Sequence, residues 1–210
     1  MSPLPERLRT RDGLQLHLRH WPARAARSVL IVHGLGEHIG RYEHVAAQLH
    51  ADGWQVFGYD QRGHGRSEGP RGGLATDDDL LHDLATVIDA LRAAQPGPLV
   101  LLGHSMGGLV AARFVAGGAG PGGAAWARPV DGLVLSSPAL DPGMSIPQKL
   151  LLACLGRLAP KLAVGNGLKP EWISRDAQVV RDYVADPLVH DRVTPRLARF
   201  IVDGGEVVAE

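Results

Sequence analysis

The sequence predicts an α/β protein with a doubly wound, mostly parallel sheet and a helical cap. Continuous apolar runs of strand length, such as Ser28–His33, are typical of parallel strands buried on both faces. These runs alternate with amphipathic helical patterns, as in a sheet built from strand–helix–strand units. After Pro138 the alternation stops, and helical segments and loops fill the chain to Glu210. We therefore expect residues 1–138 to form the core and residues 139–210 a cap over the end of the sheet.

The bounds of the core elements follow from apolar periodicity and turn residues. Arg7–Thr10 and Leu14–Trp21 flank an Asp12-Gly13 turn and predict a hairpin. Apolar residues spaced i, i+3, i+4 and i+7 indicate the helices. The predicted strands are Ser28–His33, Trp54–Tyr59, Leu99–Leu102 and Leu133–Ser136, and the predicted helices are Arg41–Asp52, Asp77–Ala94 and Met106–Ala116.

The cap is predicted to begin with a helix opened by Ser145 and Pro147. Its apolar face includes the single cysteine, Cys154, which we expect to be a small buried apolar residue. A single cysteine excludes an intramolecular disulfide. A helical tail that packs on the back of the sheet is the alternative to a cap.

The composition and charge of the chain limit the classes of function that it can have. Acidic and basic residues balance at 22 each among 210 residues, so the chain has no overall field that would attract nucleic acid or an anionic membrane. The amino terminus has no apolar signal stretch, and no apolar run approaches the length of a membrane span. These features predict a soluble, cytoplasmic enzyme that binds no nucleic acid and needs no obligate protein partner.

The strongest chemical signal is Gly103-His104-Ser105-Met106-Gly107, which matches G-x-S-x-G between an apolar strand and an amphipathic helix. The turn is so sharp that side chains two positions on either side of the serine would collide with backbone. The helix that follows directs its amino terminus at the site and favours developing negative charge. We predict that Ser105 is a nucleophile and that His104 is a structural hydrogen-bonding residue.

A second signal, His33-Gly34-Leu35-Gly36-Glu37-His38, follows the first buried strand. In this architecture, that loop and the residue after the nucleophile supply the oxyanion-hole amides, which assigns the N–H groups of Leu35 and Met106. A dinucleotide fingerprint would need glycine where Ile39 stands. The spacings of His33, His38, His44 and His64 match no zinc pattern, so the sequence predicts neither cofactor nor metal.

A third motif runs from Asp60 to Gly69 and predicts a loop that Asp60 and Arg62 fix near the oxyanion hole. Together with residues 33–42, Gly103–Gly108 and Tyr183-x-x-Asp-Pro-Leu, it resembles the monoacylglycerol lipase and lysophospholipase group of α/β-hydrolases. The resemblance implies hydrolysis of a fatty-acyl glycerol or a similar carboxylic ester. It also implies that Glu37 and Tyr183 line the alcohol end of the substrate. The apolar cap helix would admit the acyl chain and could transiently contact a membrane surface.

The same resemblance implies a catalytic acid and a histidine after two strands that follow the cap, and we expect both strands to be absent from these 210 residues. Ser105 needs an imidazole base that a carboxylate orients. Asp141 and His190 satisfy the Ser–Asp–His order formally, but His190 lies in the cap motif. We therefore expect a C-terminally truncated chain that lacks its triad acid and histidine, and in which Leu133–Ser136 is an exposed apolar edge.

Two alternative functions remain open at this stage. A non-catalytic acyl-binding or interaction module would keep the same core without turnover. The same fold also supports peptidase or thioesterase chemistry, because a fold does not fix a function.

Overall fold

A computed structural model of the chain describes residues 4–118, 122–141, 143, 152 and 154–209. Strands and helices alternate through the core in the predicted order. The strands are β1 (Arg7–Arg9), β2 (Gln15–Trp21), β3 (Ser28–Val32), β4 (Gln55–Tyr59), β5 (Leu99–His104), β6 (Gly132–Ser136), β7 (Val164–Gly165) and β8 (Arg192–Val193). The α-helices that are described from end to end are α1 (Glu43–Ala51), α2 (Asp79–Ala94), α3 (Met106–Ala116), α4 (Ala177–Ala185) and α5 (Pro195–Ala209).

The central sheet has six strands in the order β1-β2-β4-β3-β5-β6. The β1–β2 and β2–β4 pairs are antiparallel, whereas β4, β3, β5 and β6 run parallel to one another. The predicted mostly parallel sheet and the Asp12-Gly13 hairpin are thereby confirmed. Because the parallel strands share a direction, the loops after β3, β4 and β5 meet at one edge of the sheet, where ligands bind in open α/β folds.

Helices cover both faces of this sheet. Successive side chains of a strand point to opposite faces, and on β3 Leu30 and Val32 join one buried cluster while Val29 and Ile31 join the other. The first cluster includes apolar residues of α2, α3 and α5, and the second includes Ala46 of α1. Full burial of a leucine or valine side chain contributes about 1.5–3 kcal/mol, which explains why β3 needs a continuous apolar sequence.

Two helices start later than their sequence patterns indicate. Residues Ile39–Tyr42 form a 3₁₀ turn before α1, and α2 begins at Asp79 rather than at Asp77. Asp79 accepts hydrogen bonds from the backbone N–H groups of Ala75 and Thr76, both at 2.8 Å. This side chain folds the preceding residues into a turn, so the helix cannot extend over them.

The last helix packs against the core. Leu197 and Phe200 of α5 are buried in the cluster that contains α3, and the Arg113 guanidinium of α3 lies 4.6 Å from the Phe200 ring. The division into a core of residues 1–138 and a cap of residues 139–210 stays a prediction. The contacts of α5 favour assigning this helix to the core.

The cap departs from expectation at Cys154, which is exposed rather than buried. Residues 154–158 are helical as predicted, whereas most of the predicted first turn from Ser145 onward lies outside the described residues. Leu158 is 85% exposed and Leu155 is partly buried, so this helix covers its apolar residues only in part against the described chain. Among the described helices, none is both long enough and apolar enough to span a bilayer.

The strand β6 forms one edge of the sheet, which confirms the expected exposed apolar edge. Val134 is 49% exposed and Leu135 is 38% exposed. An edge strand presents unpaired backbone donors and acceptors, and apolar side chains beside them favour pairing with another chain.

We expect Val134→Lys to reduce self-association of the 210-residue chain, because a charge on an edge strand opposes strand pairing. Val184→Lys is the matched control, since Val184 is 65% exposed but lies on α4 rather than on a strand. Light scattering across a concentration series measures the association. Equal behaviour of the two variants would show that β6 is not the associating surface.

Candidate active site

Ser105 occupies a strained turn between β5 and α3. Its backbone adopts φ 52° and ψ −121°, a region that non-glycine residues rarely enter. Ser105 N–H donates to Ser136 C=O at 3.0 Å, and Ser105 C=O accepts from Ala139 N–H at 3.0 Å. Such strain costs on the order of 1–3 kcal/mol and persists where the surrounding structure holds it. The hydrogen bonds to the segment after β6 provide that hold.

The glycines of the motif allow close backbone contact. A Cβ atom at Gly103 would lie 2.5 Å from the Gly107 carbonyl oxygen, and one at Gly107 would lie 2.1 Å from the Val32 carbonyl oxygen. These distances bear out the collision that the sequence predicts two positions on either side of Ser105. The same contacts place the amino terminus of α3 directly against the end of β3.

The loop after β3 lies beside Ser105. A Cβ atom on Gly34 would be 3.2 Å from Ser105 Cβ, so this loop borders the nucleophile. Met106 is the first residue of α3, where a backbone N–H has no intrahelical partner. In the described part of the chain, the Leu35 N–H donates no hydrogen bond either. The assignment of these two amides to an oxyanion hole stays a prediction. It is supported by the fact that both N–H groups are free to donate a hydrogen bond in the described structure.

His33 holds the loop after β3 in place through both of its ring nitrogens. Its Nδ1 contacts Gly34 C=O at 2.8 Å, and its Nε2 contacts the backbone N–H of Gln61 at 3.0 Å. Nε2 must therefore accept and Nδ1 must donate, so His33 is a neutral imidazole. Complete burial lowers the pKa of His33 and favours the same neutral form.

Glu37 joins the loop to the wall of the site. Its Oε1 accepts from Gly34 N–H at 2.6 Å and from the Tyr42 hydroxyl at 2.7 Å, and its Oε2 pairs with Arg41. Burial by itself would raise the pKa of Glu37, but His33, Tyr42, Arg41 and the Gly34 amide hold it below its usual value. The carboxylate is 6% exposed, so it braces the loop as well as bordering the site.

The contacts of Arg41 and Tyr42 with Glu37 were not predicted from the sequence. The available signal was that all three residues belong to the motif of residues 33–42. The Arg41 guanidinium also lies 4.6 Å from the ring of Tyr183, a residue of α4. Arg41 thus connects the predicted substrate-side residues Glu37 and Tyr183.

Asp60 and Arg62 support the site without reaching Ser105. Asp60 Oδ1 accepts from Ile39 N–H at 2.8 Å, and its Oδ2 accepts from Arg66 N–H at 2.8 Å. Arg62 instead pairs with Asp83 of α2. The loop after β4 is therefore tied to the loop after β3 by Asp60 and to α2 by Arg62, and its predicted part in shaping the oxyanion hole stays a prediction. His104 likewise hydrogen-bonds Ser136, at 3.1 Å to its carbonyl oxygen.

A cavity of about 430 Å³ opens over Ser105. Other cavities of similar volume occur in the described structure, including one beside Arg62, so its position over Ser105 distinguishes this one and its size does not. The lining includes the charged residues Glu37 and Arg41 and a group of residues from the predicted cap. The cap residues are Leu168, Lys169, Pro170, Trp172, Ile173 and Tyr183.

The family model described as serine aminopeptidase, S33, matches residues 23–210. The chain belongs to this family. A monoacylglycerol lipase of Mycolicibacterium smegmatis is 38% identical over 182 residues, which are 85% of this chain and 62% of that protein. Phospholipase YtpA of Bacillus subtilis is 31% identical over 185 residues, which are 87% of this chain and 68% of that protein.

A solved structure shows the same fold. The monoacylglycerol lipase of Paleococcus ferrophilus superposes with a TM-score of 0.76 at 34% identity, covering 92% of this chain and 71% of that one. The chain is thus an α/β-hydrolase of the monoacylglycerol-lipase-like group. It spans about three fifths of the length of the Mycolicibacterium lipase.

A serine nucleophile of this family needs a base, and the described contacts supply none. All 10 histidines lie within the described residues, and none hydrogen-bonds the Ser105 hydroxyl there. His190 Nε2 contacts Gly63 C=O at 3.1 Å, and His190 Nδ1 contacts Arg192 N–H at 3.1 Å. Asp141 accepts from Gly143 N–H. The structure therefore does not join Asp141 and His190 to Ser105, and the formal triad gains no support.

Proposed function

We propose that the intact protein is a serine carboxylic-ester hydrolase that acts on monoacylglycerol-like or lysophospholipid-like esters. The observation that carries this proposal is the position of Ser105, on a strained elbow under a cavity whose lining combines Glu37 and Arg41 with apolar residues of the cap. Similarity to a monoacylglycerol lipase and to a phospholipase supports the substrate class.

The reaction forms and breaks an acyl-enzyme. The Ser105 oxygen bonds to the ester carbonyl carbon while a base takes the serine proton. The carbonyl oxygen becomes an oxyanion that the Leu35 and Met106 amides stabilise, and one such donor contributes roughly 3–4 kcal/mol. The intermediate collapses, the alcohol leaves with a proton, and water releases the acid by the same two steps.

The polar and apolar residues of the cavity lining suggest how the substrate is oriented. We assign the acyl chain to the part of the lining that the cap supplies, where Leu168, Trp172 and Ile173 are apolar and exposed. We assign the alcohol end to the side of Glu37 and Tyr183, with Arg41 between them. Because Glu37 is already paired, Arg41 and the Tyr183 hydroxyl are the groups that we expect to contact the alcohol.

The electrostatics of the cavity favour esters over aminopeptidase substrates. An aminopeptidase must bind a free ammonium group, and a buried ammonium needs a carboxylate partner. Glu37 is the one carboxylate among the described lining residues, and Arg41 already neutralises it. Lys169 adds a second positive charge to the lining. A neutral glycerol or a phosphate group suits this lining better than an ammonium group does.

The cap also exposes apolar side chains, some of which line the cavity and some of which lie outside it. Leu158, Leu162, Leu168 and Trp172 are each more than half exposed, and Lys161 and Lys169 lie among them in the sequence. An apolar surface flanked by cations suits the headgroup region of a membrane. We include transient contact of the cap with a lipid surface in the proposal, and a cytoplasmic location remains a prediction.

A fluorophosphonate probe tests the nucleophile, followed by a substrate panel on the complete gene product. We expect covalent labelling at Ser105, its loss in Ser105→Ala, and its retention in Ser137→Ala, which removes another serine of the cavity. The panel compares 4-nitrophenyl esters, monoacylglycerols, lysophospholipids and aminoacyl anilides. Faster cleavage of the anilides than of the esters would contradict the proposed substrate class.

A further inference from the structure

One segment of the cap crosses the loops that surround the active site. We call residues 186–194 the strap. At its start, Asp186 Oδ2 lies 2.8 Å from Nε2 of His38. At its end, Thr194 N–H donates to Gly72 C=O at 2.9 Å. The strap is thus attached to the loop after β3 and to the loop after β4.

The middle of the strap touches the predicted oxyanion loop at Gly36. His190 N–H donates to Gly36 C=O at 2.9 Å. Gly36 has φ +77°, and a Cβ atom there would lie 2.3 Å from the His190 carbonyl oxygen, so the two backbones are in direct contact. Leu35 lies between Gly34, which Glu37 holds, and Gly36, which the strap holds.

The His190 side chain secures the strap from the other side. Because Nδ1 accepts from Arg192 N–H, the ring proton lies on Nε2, which donates to Gly63 C=O. Burial and the nearby Arg71 cation lower the pKa of His190 to about 4, so the ring is neutral at pH 7. Both nitrogens are therefore occupied by neighbouring backbone groups, which suits a positioning role.

We propose that His190 is a positioning residue, which holds the strap against Gly36 and so fixes the direction of the Leu35 N–H. The position of the cap and the geometry of the oxyanion hole are then coupled. This inference rests on the proposed function for its catalytic consequence. The mechanical coupling itself does not depend on hydrolysis.

The first test compares Gly36→Ala with Gly53→Ala. The two glycines have nearly the same φ, +77° and +78°, but a Cβ atom at Gly53 would meet only Arg27 Nη2, at 3.9 Å. The backbone strain is thus matched, and only Gly36→Ala disturbs the strap. We expect amide exchange in residues 33–42 to accelerate about tenfold in Gly36→Ala alone. We expect kcat of the complete gene product to fall by about 100-fold, with KM within about twofold.

The second test compares His190→Leu with His190→Gln, because glutamine can still donate a hydrogen bond toward Gly63 C=O. Loss of one buried hydrogen bond predicts roughly fivefold faster exchange in residues 33–42 for His190→Leu, with substantial rescue in His190→Gln. Equal exchange in Gly36→Ala and Gly53→Ala, or no rescue by glutamine, would overturn the positioning role. If exchange follows the prediction but the wild-type product hydrolyses no ester, the coupling stands and the proposed function fails.

Discussion

The 210-residue chain alone is expected to hydrolyse 4-nitrophenyl butyrate very slowly, and added imidazole is expected to raise the rate. No histidine hydrogen-bonds the Ser105 hydroxyl in the described structure, so no imidazole of the chain is placed to take its proton. Loss of the base in a serine hydrolase lowers kcat by on the order of 10⁶-fold, while an oxyanion hole alone retains roughly 10³–10⁴-fold over water. Imidazole is small enough to enter a cavity of about 430 Å³ and act in place of the missing side chain.

The measurement is the initial rate as a function of imidazole concentration, at constant pH and ionic strength. The rate should rise linearly in the wild-type chain and stay at the solution background in Ser105→Ala. Turnover of about 1 s⁻¹ or more without imidazole, typical of an intact enzyme, would show that a base of the chain reaches Ser105. His104→Ala and His190→Ala would then identify it.

Much of the core could be predicted because the sequence patterns that indicate it span only a few neighbouring residues. The continuous apolar sequence of β3 specifies a strand that is buried on both faces, and the prediction holds to within one residue. The elbow could be predicted for the same reason, since Gly103 and Gly107 meet backbone within a few residues of Ser105 or at the adjoining strand end. The fold class and the placement of the nucleophile are therefore properties of short sequence windows.

Features that depend on distant partners could not be predicted in this way. Cys154 stands among leucines, and apolar neighbours in the sequence do not reveal that the helix remains uncovered. The strap contact between Gly36 and His190 joins residues that are far apart in the chain. Glu37 was associated with substrate by resemblance, but its hydrogen bonds to Gly34 and Tyr42 appear only in the folded loop.

The ion-pair partners of Arg62 also could not be predicted from the sequence. Asp79 lies in the first turn of α2, where the helix dipole favours a carboxylate, yet it also makes a specific ion pair with Arg62 at 2.8 Å. Arg62 also binds Asp83 through two hydrogen bonds, at 2.6 and 2.7 Å. All three side chains are at most 2% exposed. A single buried guanidinium therefore neutralises two buried carboxylates and ties the loop after β4 to α2.

Arg62→Met is expected to destabilise the fold by about 3–5 kcal/mol, because it leaves the buried Asp83 carboxylate without its counter-charge. Arg128→Met is the matched control, since Arg128 also binds one aspartate through two hydrogen bonds, to Asp89 at 2.8 and 2.9 Å. Both partners of that pair are solvent-accessible, so its loss should cost at most about 1 kcal/mol. Urea unfolding at pH 7 measures both changes.

The pH dependence of this destabilisation identifies its cause. Burial already raises the pKa of Asp83 to about 6 with Arg62 in place, and removal of the guanidinium should raise it further. A carboxyl with a raised folded-state pKa is stabilising below its unfolded pKa of about 3.9 and loses that contribution as pH rises. The difference in unfolding free energy between wild type and Arg62→Met should therefore grow from pH 4 to pH 8. A difference that stays constant over this range would instead indicate lost packing of the arginine stem.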